Sequence, residues 1–165
     1  MTTLGDINVM TRQAFVAGFG DVAEHSPWVA EQAWEKRPYA DRDALIEAFA
    51  QALREAPREA KLALIRAHPD LATRAKLTAD STNEQAGARL DRLSADEFAR
   101  FSRFNEAYKT RFGFPFIFAV RGATKHQILA AFEERLGNSP EKEFETALAQ
   151  ILRIFRFRLE DRVSP

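Results

Sequence analysis

The sequence predicts an all-α fold: a single domain of residues 1–165 that forms a helical bundle of about seven to nine helices with one short extended segment. Apolar residues recur every three or four positions along most of the chain, which is the period of one helical face. Residues typical of helix starts and ends separate these stretches. One compact apolar run breaks the pattern, and no second strand candidate exists with which it would pair. A length of 165 residues also suits one domain.

The N-terminal stretches predict two short helices. Gly18 and Gly20 limit the helix around Phe15 to a few turns. Ser26 then places a capping hydroxyl before Pro27, which suits the first position of a helix. We therefore expect the second helix to begin at this Ser-Pro pair and to continue through the next tryptophans.

His68 stands at the end of the fourth predicted helix. Residues 43–56 have helical period, and Pro57 suits the start of a helix that stops at His68. Because Pro69 disfavours the α conformation in the residue before it, the imidazole is expected to project from the helix end. The alternative is an ordinary C-terminal histidine favoured by the helix dipole.

Three segments in the second half have the spacing of a capping box, in which Ser or Thr is followed three residues later by Glu or Gln. They are Ser81 with Glu84, Ser94 with Glu97, and Thr124 with Gln127. Gly113 and Gly137 suit the ends of the second and third of these helices. Ser139-Pro140 suits the start of the last and longest helix.

Residues 114–120, which we call the phenylalanine segment, lie between Gly113 and Arg121. The segment is too short for a helix between those breakers, so we expect extended, unpaired chain. Its backbone N–H and C=O groups must bond to something, and a heterocycle with amide edges is one candidate. Arg121 would need a carboxylate or an anionic ligand if buried, and would otherwise be a surface arginine after a core segment.

Three further polar residues have two interpretations each. Ser81 and Glu84 would simply cap a helix, or they would bind a polar ligand together with the free N–H groups of the helix start. Asn105 lies on an aromatic helical face. Because a buried amide more often fixes local hydrogen bonding than it contacts substrate, the structural interpretation is favoured for Asn105.

Composition excludes several classes of function. Lys plus Arg and Asp plus Glu both number 24, which argues against binding to nucleic acid or an acidic membrane. The absence of Cys excludes thiol nucleophiles and Cys-ligated zinc, and His25 and His126 have no partners at metal spacing. No stretch approaches about 18 consecutive apolar residues. We expect a cytoplasmic protein without a metal.

Five motifs, in this order and spacing, resemble those of one family. They are Glu24-His25-Ser26-Pro27-Trp28, His68-Pro69-Asp70-Leu71, Ser81-x-x-Glu84-Gln85, Phe104-Asn105-x-x-Tyr108, and Phe112-Gly113-Phe114-Pro115-Phe116 leading to Arg121. With them the chain resembles 2-oxo-4-hydroxy-4-carboxy-5-ureidoimidazoline (OHCU) decarboxylase, over nearly its whole length from Phe15 to Val163.

The resemblance implies a homodimer that needs no cofactor and converts the small molecule OHCU, a product of urate oxidation and ring hydrolysis, to (S)-allantoin and carbon dioxide. It implies three catalytic residues, with His68 as proton donor and Glu84 and Arg121 as polar contacts to the substrate. The residues that it implies to line the site are Pro69, Ser81, Gln85, Phe116, Ile117, Phe118, Ala119 and Val120.

The implied chemistry suits these side chains. Loss of carbon dioxide leaves electrons on a carbon beside a carbonyl, and Arg121 and fixed N–H dipoles would stabilise the resulting enolate. An unperturbed histidine pKa of about 6.5 suits proton delivery near neutral pH. Glu84 would orient substrate N–H groups or hold the His68 ring, and both stay open. The alternatives are another lyase or hydrolase acting on a related ureide, and a non-enzymatic helical module that binds a partner.

Overall fold

The computed structural model describes residues 1–73 and 77–165, and these residues form nine helices and no β-strand. The helices are α1 (Leu4–Asn8), α2 (Arg12–Phe19), α3 (Trp28–Trp34), α4 (Arg42–Glu55), α5 (Arg58–Ala67), α6 (Ala79–Gly87), α7 (Ala95–Phe112), α8 (Lys125–Leu136) and α9 (Pro140–Arg162). The predicted all-α class is confirmed. None of the helices described here has the length and apolar composition needed to cross a membrane.

The helices fall into two compact units, one of residues 1–67 with 152–165 and one of residues 68–151. In the first unit, α3 packs on α2 and α4. The ring of Phe49 lies 6.1 Å from that of Phe15 and 6.3 Å from that of Phe155, measured between centroids, and all three are buried. Fully burying such a side chain stabilises the fold by about 1.5–3 kcal/mol. The helical periodicity therefore predicted a face that the core of this unit buries.

The motif that begins at Glu24 has a structural role in the first unit. Arg158 Nη1 lies 3.0 Å from Glu24 Oε2, and both side chains are buried. Ser26 Oγ donates a hydrogen bond of 2.9 Å to the Glu24 carbonyl, and α3 begins without a side-chain cap. The helix from Trp28 is thus confirmed, but the predicted Ser26 cap is wrong. The hydroxyl is used in a local turn instead.

The second unit contains α6, α7, α8, the first half of α9 and the phenylalanine segment. Helices α7 and α8 pack together around aromatic side chains. The Phe132 ring stacks on Phe116 with 3.7 Å between centroids, and Tyr108 meets the same Phe116 ring edge-on at 5.3 Å. These contacts anchor one end of the phenylalanine segment in the core of the unit.

Two of the three predicted capping boxes are confirmed. Ser94 Oγ accepts from the Glu97 N–H at 3.1 Å, and Glu97 Oε1 accepts from the Ser94 N–H at 2.9 Å. Thr124 and Gln127 make the same reciprocal pair at the start of α8, at 3.1 and 2.9 Å. Gly113 ends α7 with φ of 78°, a left-handed conformation that glycine adopts without strain.

The third predicted box is wrong, because α6 begins earlier than expected. Thr78 caps this helix, and its Oγ1 accepts from the Ser81 N–H at 3.3 Å. Two hydroxyls three residues apart both suit a cap, and Thr78 is the one that caps the helix. Ser81 and Glu84 therefore lie inside the helix, and neither caps it.

Candidate active site

His68 lies directly after α5, which ends at Ala67 as the following proline predicts. The side chain is 8% exposed, and its Nε2 atom is buried. A histidine that only complemented a helix dipole would normally stay in solvent. The burial of His68 favours the functional interpretation over the helix-dipole alternative.

Residues 68–73, which we call the histidine loop, have no regular structure, and side chains hold their backbone in place. Gln85 Oε1 of α6 accepts from the Ala72 N–H at 2.8 Å, and Gln85 Nε2 donates to the Asp70 carbonyl at 3.4 Å. Asn105 Nδ2 of α7 donates to the Leu71 carbonyl at 2.8 Å. Three consecutive backbone positions are thus bonded to side-chain amides.

The histidine loop contains a backbone conformation that needs such support. Ala72 is buried and has φ of 58°, in the left-handed region that residues with a Cβ rarely adopt. Lys109 Nζ of α7 also binds Asp70 Oδ2 at 2.8 Å, and this hydrogen bond raises the pKa of Lys109 above its ordinary value. Conformations of this kind persist only where the surroundings impose them, and they cluster at functional sites.

Helix α6 carries three residues of the predicted site on neighbouring positions of one face. Ser81 and Gln85 are buried, and Glu84 is partly exposed. The spacing of three and four residues places all three on the same side of the helix. Because Gln85 bonds to the histidine loop, this side of α6 faces that loop. Pro69 of the loop is half-buried.

As predicted, the phenylalanine segment belongs to no helix and pairs with no strand in the described part of the chain. Of its residues in the predicted site, Phe116, Ile117, Ala119 and Val120 are buried, and Phe118 is partly exposed. A heterocyclic ligand was one candidate partner for its backbone N–H and C=O groups, but two of these groups bond to protein side chains instead. The Ile117 carbonyl accepts from Arg135 Nη1 at 2.7 Å, and the Ala119 N–H donates to Gln150 Oε1 at 2.9 Å.

A buried charged cluster supports the phenylalanine segment. Arg135 Nε lies 2.7 Å from Glu143 Oε1, with the two side chains 8% and 0% exposed. Glu143 also accepts from the Tyr108 hydroxyl at 2.6 Å and from Asn138 Nδ2 at 2.9 Å. Burial, and secondarily the hydrogen bond to Glu143, raise the pKa of the Tyr108 phenol well above its ordinary value. The Arg135 guanidinium also lies over the Phe116 ring, 4.3 Å from its centroid.

Sequence reasoning missed this cluster. Arg135 is a basic residue in the last turn of α8, and Glu143 is an acidic residue in the first turn of α9. Both positions suit the helix dipole, so local rules indicate no further role for either residue. The available signal was Tyr108 on an aromatic helical face, because a buried phenol needs a hydrogen-bond partner, which here is Glu143.

Helix α7 connects the two supported segments. Asn105 and Lys109 hold the histidine loop, while Tyr108 contacts the ring of Phe116. Arg121 follows the phenylalanine segment in an exposed turn, next to Gly122 with φ of 77°. The structure brings Gln85 to the histidine loop. That His68, Glu84 and Arg121 act as one set stays a prediction.

No group of three or more His, Asp or Glu side chains suited to a metal ion occurs in the described part of the chain. The polar groups that converge on the histidine loop and the phenylalanine segment are instead amides, a hydroxyl, a guanidinium and single carboxylates. These groups hold the backbone of the two segments, and the buried imidazole of His68 is the side chain of the histidine loop whose chemistry suits proton delivery.

The family model for OHCU decarboxylase matches residues 8–160 of the chain. The chain belongs to the OHCU decarboxylase family. This confirms the resemblance drawn from the five motifs. The match includes both supported segments and every residue of the predicted site.

Three known proteins illustrate what the chain is similar to. The 2-oxo-4-hydroxy-4-carboxy-5-ureidoimidazoline decarboxylase of Haloferax volcanii is 45% identical over 162 residues, which are 98% of this chain and 96% of that protein. A uric acid degradation bifunctional protein of Bacillus subtilis is 41% identical over 99% of this chain and 33% of its own length. The crystal structure of an (S)-allantoin synthase has a TM-score of 0.78 and 32% identity, covering 98% of this chain and 54% of that one.

Proposed function

We propose that this chain decarboxylates OHCU to (S)-allantoin and carbon dioxide in urate degradation, with His68 as the proton donor. The observation that carries the proposal is the family match over residues 8–160, a range that includes the positions of His68, Glu84 and Arg121. The Haloferax volcanii and Bacillus subtilis relatives, whose names give this activity and its pathway, match over 98% and 99% of the chain. The proposed enzyme is a carboxy-lyase.

The proposed reaction needs two operations on the substrate. The bond between the ring and its carboxylate breaks, and the electron pair stays on the ring as an enolate-type anion while carbon dioxide leaves. A proton is then added to one face of a ring carbon, and that choice makes the product chiral. Fixed N–H dipoles and cations stabilise the anion more strongly in a site from which water is excluded.

The surroundings of His68 suit single-face protonation. Its imidazole is buried, and its loop is bonded to α6 through Gln85 and to α7 through Asn105. A proton donor held in this way can approach the ring from one direction. General acid catalysis of this kind typically contributes about 10²- to 10⁴-fold in rate.

Glu84 and Arg121 are proposed as polar contacts to the substrate. Arg121 would stabilise the negative charge left by decarboxylation, because a guanidinium presents several N–H donors in one plane. Glu84 would accept from ureido or ring N–H groups, or would orient His68. The proposed lining is completed by Pro69, Ser81, Gln85, Phe116, Ile117, Phe118, Ala119 and Val120.

Three further features belong to the same proposal. We expect a homodimer, activity without a cofactor, and a cytoplasmic location, all as predicted from the sequence. Light scattering of the purified protein tests the first. Activity without a cofactor is tested by treating the protein exhaustively with a chelator and then passing it through gel filtration. If no dissociable metal or cofactor is needed, the activity should be undiminished.

The proposal is tested with OHCU generated in place from urate by oxidation and ring hydrolysis. The chain should accelerate carbon dioxide release and give (S)-allantoin. Circular dichroism measures the stereochemistry of the product, because an uncatalysed route that protonates both faces gives a racemate. His68→Ala should lower kcat by about 10²- to 10⁴-fold because the proton donor is lost.

His126 offers a matched control, because it is an exposed histidine at the start of α8. His126→Ala should keep the wild-type rate. A His68→Ala protein that is folded and retains the wild-type rate and stereochemistry would refute the role of His68. A ureide that is cleaved without release of carbon dioxide would instead favour the hydrolase alternative.

A further inference from the structure

Asn105 has an amide of which only one end is satisfied. The side chain is 6% exposed, and its Nδ2 donates to the Leu71 carbonyl at 2.8 Å. Because a carbonyl oxygen accepts and cannot donate, this bond fixes which end of the amide faces the histidine loop. The other end, Oδ1, is buried and accepts no hydrogen bond from the residues that the structure describes.

Such a residue needs an explanation, since a buried acceptor without a donor disfavours folding. A leucine has a similar volume and would remove the unsatisfied Oδ1. What a leucine cannot supply is the hydrogen bond to the Leu71 carbonyl. The value of Asn105 therefore lies in the position that it gives to the histidine loop.

The bond from Asn105 completes the support of a strained turn close to His68. Gln85 bonds to the backbone on either side of Leu71, at the Asp70 carbonyl and the Ala72 N–H. Ala72 keeps its φ of 58° within this set of bonds. Among the described residues, Asn105 is the one residue of α7 whose side chain bonds to the backbone of residues 70–72. Its removal would break this link between α7 and the histidine loop.

We propose that Asn105 is a positioning residue of the reaction: by holding the Leu71 carbonyl, it sets where the His68 imidazole stands relative to the substrate. The inference rests on the proposed function and goes beyond the predicted site, which does not include Asn105, and beyond the structural role that the sequence favours for this residue. It concerns the delivery of the proton and assigns Asn105 no contact with the substrate.

The decisive variant is Asn105→Leu. A misplacement of about 1 Å in a reacting group can lower a rate about 10²-fold, so kcat should fall about 10- to 100-fold. KM should change less than about threefold, because the groups proposed to bind the substrate are untouched. The solvent deuterium isotope effect on kcat should increase, since proton delivery becomes slower relative to the other steps. Partial unfolding alone would lower the amount of active enzyme without changing KM or the isotope effect.

Asn8 provides a matched control in the first unit. Its Nδ2 donates to the Tyr39 carbonyl at 3.1 Å, and its Oδ1 accepts from the Tyr39 N–H at 2.8 Å. Asn8→Leu removes the same kind of side-chain bond from a backbone carbonyl. It should lower Tm while leaving kcat, KM and the isotope effect of the folded enzyme unchanged.

Asn105→Gln keeps the amide but displaces it by one methylene, and it decides the question if the leucine variant does not fold. Its kcat should lie between those of the wild type and Asn105→Leu, again with a raised isotope effect. The positioning role of Asn105 would be overturned if a folded Asn105 variant kept the wild-type kcat and isotope effect, or if only its KM changed. Either result would leave the proposed function intact. A wild-type chain that fails to accelerate OHCU decay would overturn the proposed function, and the inference with it.

Discussion

The histidine loop and the phenylalanine segment are both irregular stretches with buried residues, yet different chemical groups hold them. Neutral amides of Gln85 and Asn105 bind the backbone of the histidine loop. The phenylalanine segment is held by the Arg135 guanidinium, which is itself paired with the buried Glu143 carboxylate. One support uses hydrogen bonds between neutral groups, and the other uses a buried ion pair.

The difference has consequences for stability and for catalysis. Removing one partner of a buried ion pair leaves an uncompensated charge, which costs far more than the loss of a neutral hydrogen bond. We therefore expect the support of the phenylalanine segment to dominate the free energy of unfolding. The support of the histidine loop should matter more for the rate of the proposed reaction, because it holds the backbone next to His68.

The largest effect on stability should come from Glu143→Leu. This change leaves the Arg135 guanidinium buried without its carboxylate, so the free energy of unfolding should fall by about 3–5 kcal/mol. Urea denaturation measures the loss. The double variant Arg135→Met with Glu143→Leu should recover much of it, because no unpaired charge remains. A loss below about 1 kcal/mol in Glu143→Leu would remove the distinction between the two supports.

Gln85→Leu should have a smaller effect on stability. It leaves the buried Ala72 N–H without its acceptor, which costs about 1–3 kcal/mol of unfolding free energy. Gln51 is a suitable control, because its amide donates to Glu55 on the exposed surface of α4. Gln51→Leu should change stability by no more than about 0.5 kcal/mol. If Gln85→Leu cost as much as Glu143→Leu, the neutral and charged supports would be energetically equivalent.

Lys109→Met should have the smallest effect and a distinct pH dependence. The Lys109 and Asp70 side chains are 39% and 28% exposed, so solvent screening limits their pair to less than about 1 kcal/mol. The hydrogen bond to Asp70 raises the pKa of Lys109 above 10.5. When folding raises the pKa of a basic group, the charged group stabilises the fold at pH values below its pKa in the unfolded chain. This stabilisation is lost as the pH rises through the pKa that the group has in the folded protein.

The difference in unfolding free energy between the wild type and Lys109→Met should therefore be constant around neutral pH. It should disappear above the ordinary lysine pKa of 10.5, as the ammonium loses its proton. Chemical denaturation at a series of pH values measures this difference. A difference that instead grew with pH would contradict the assigned cause of the pKa shift.

The sequence predicted the helices well because their signals lie within one turn. Ser94 and Glu97 cap α7 as their spacing indicated, and Gly113 ends it with a left-handed φ. The error at Ser81 has the same local origin, since Thr78 offers an equivalent hydroxyl three residues earlier. Local rules identify both hydroxyls and do not choose between them.

By itself, the sequence determined the helical class, most helix boundaries, the exit of His68 from its helix and the family. Only the tertiary structure decided which polar groups meet. Asn105 bonds to a carbonyl 34 positions away, and Tyr108 bonds to a carboxylate 35 positions away. Arg135 and Glu143 each satisfied a local helix-end rule and gave no sign of burial. A cap depends on a few neighbouring dihedral angles, whereas a buried polar contact depends on how whole helices pack, and no local spacing encodes that.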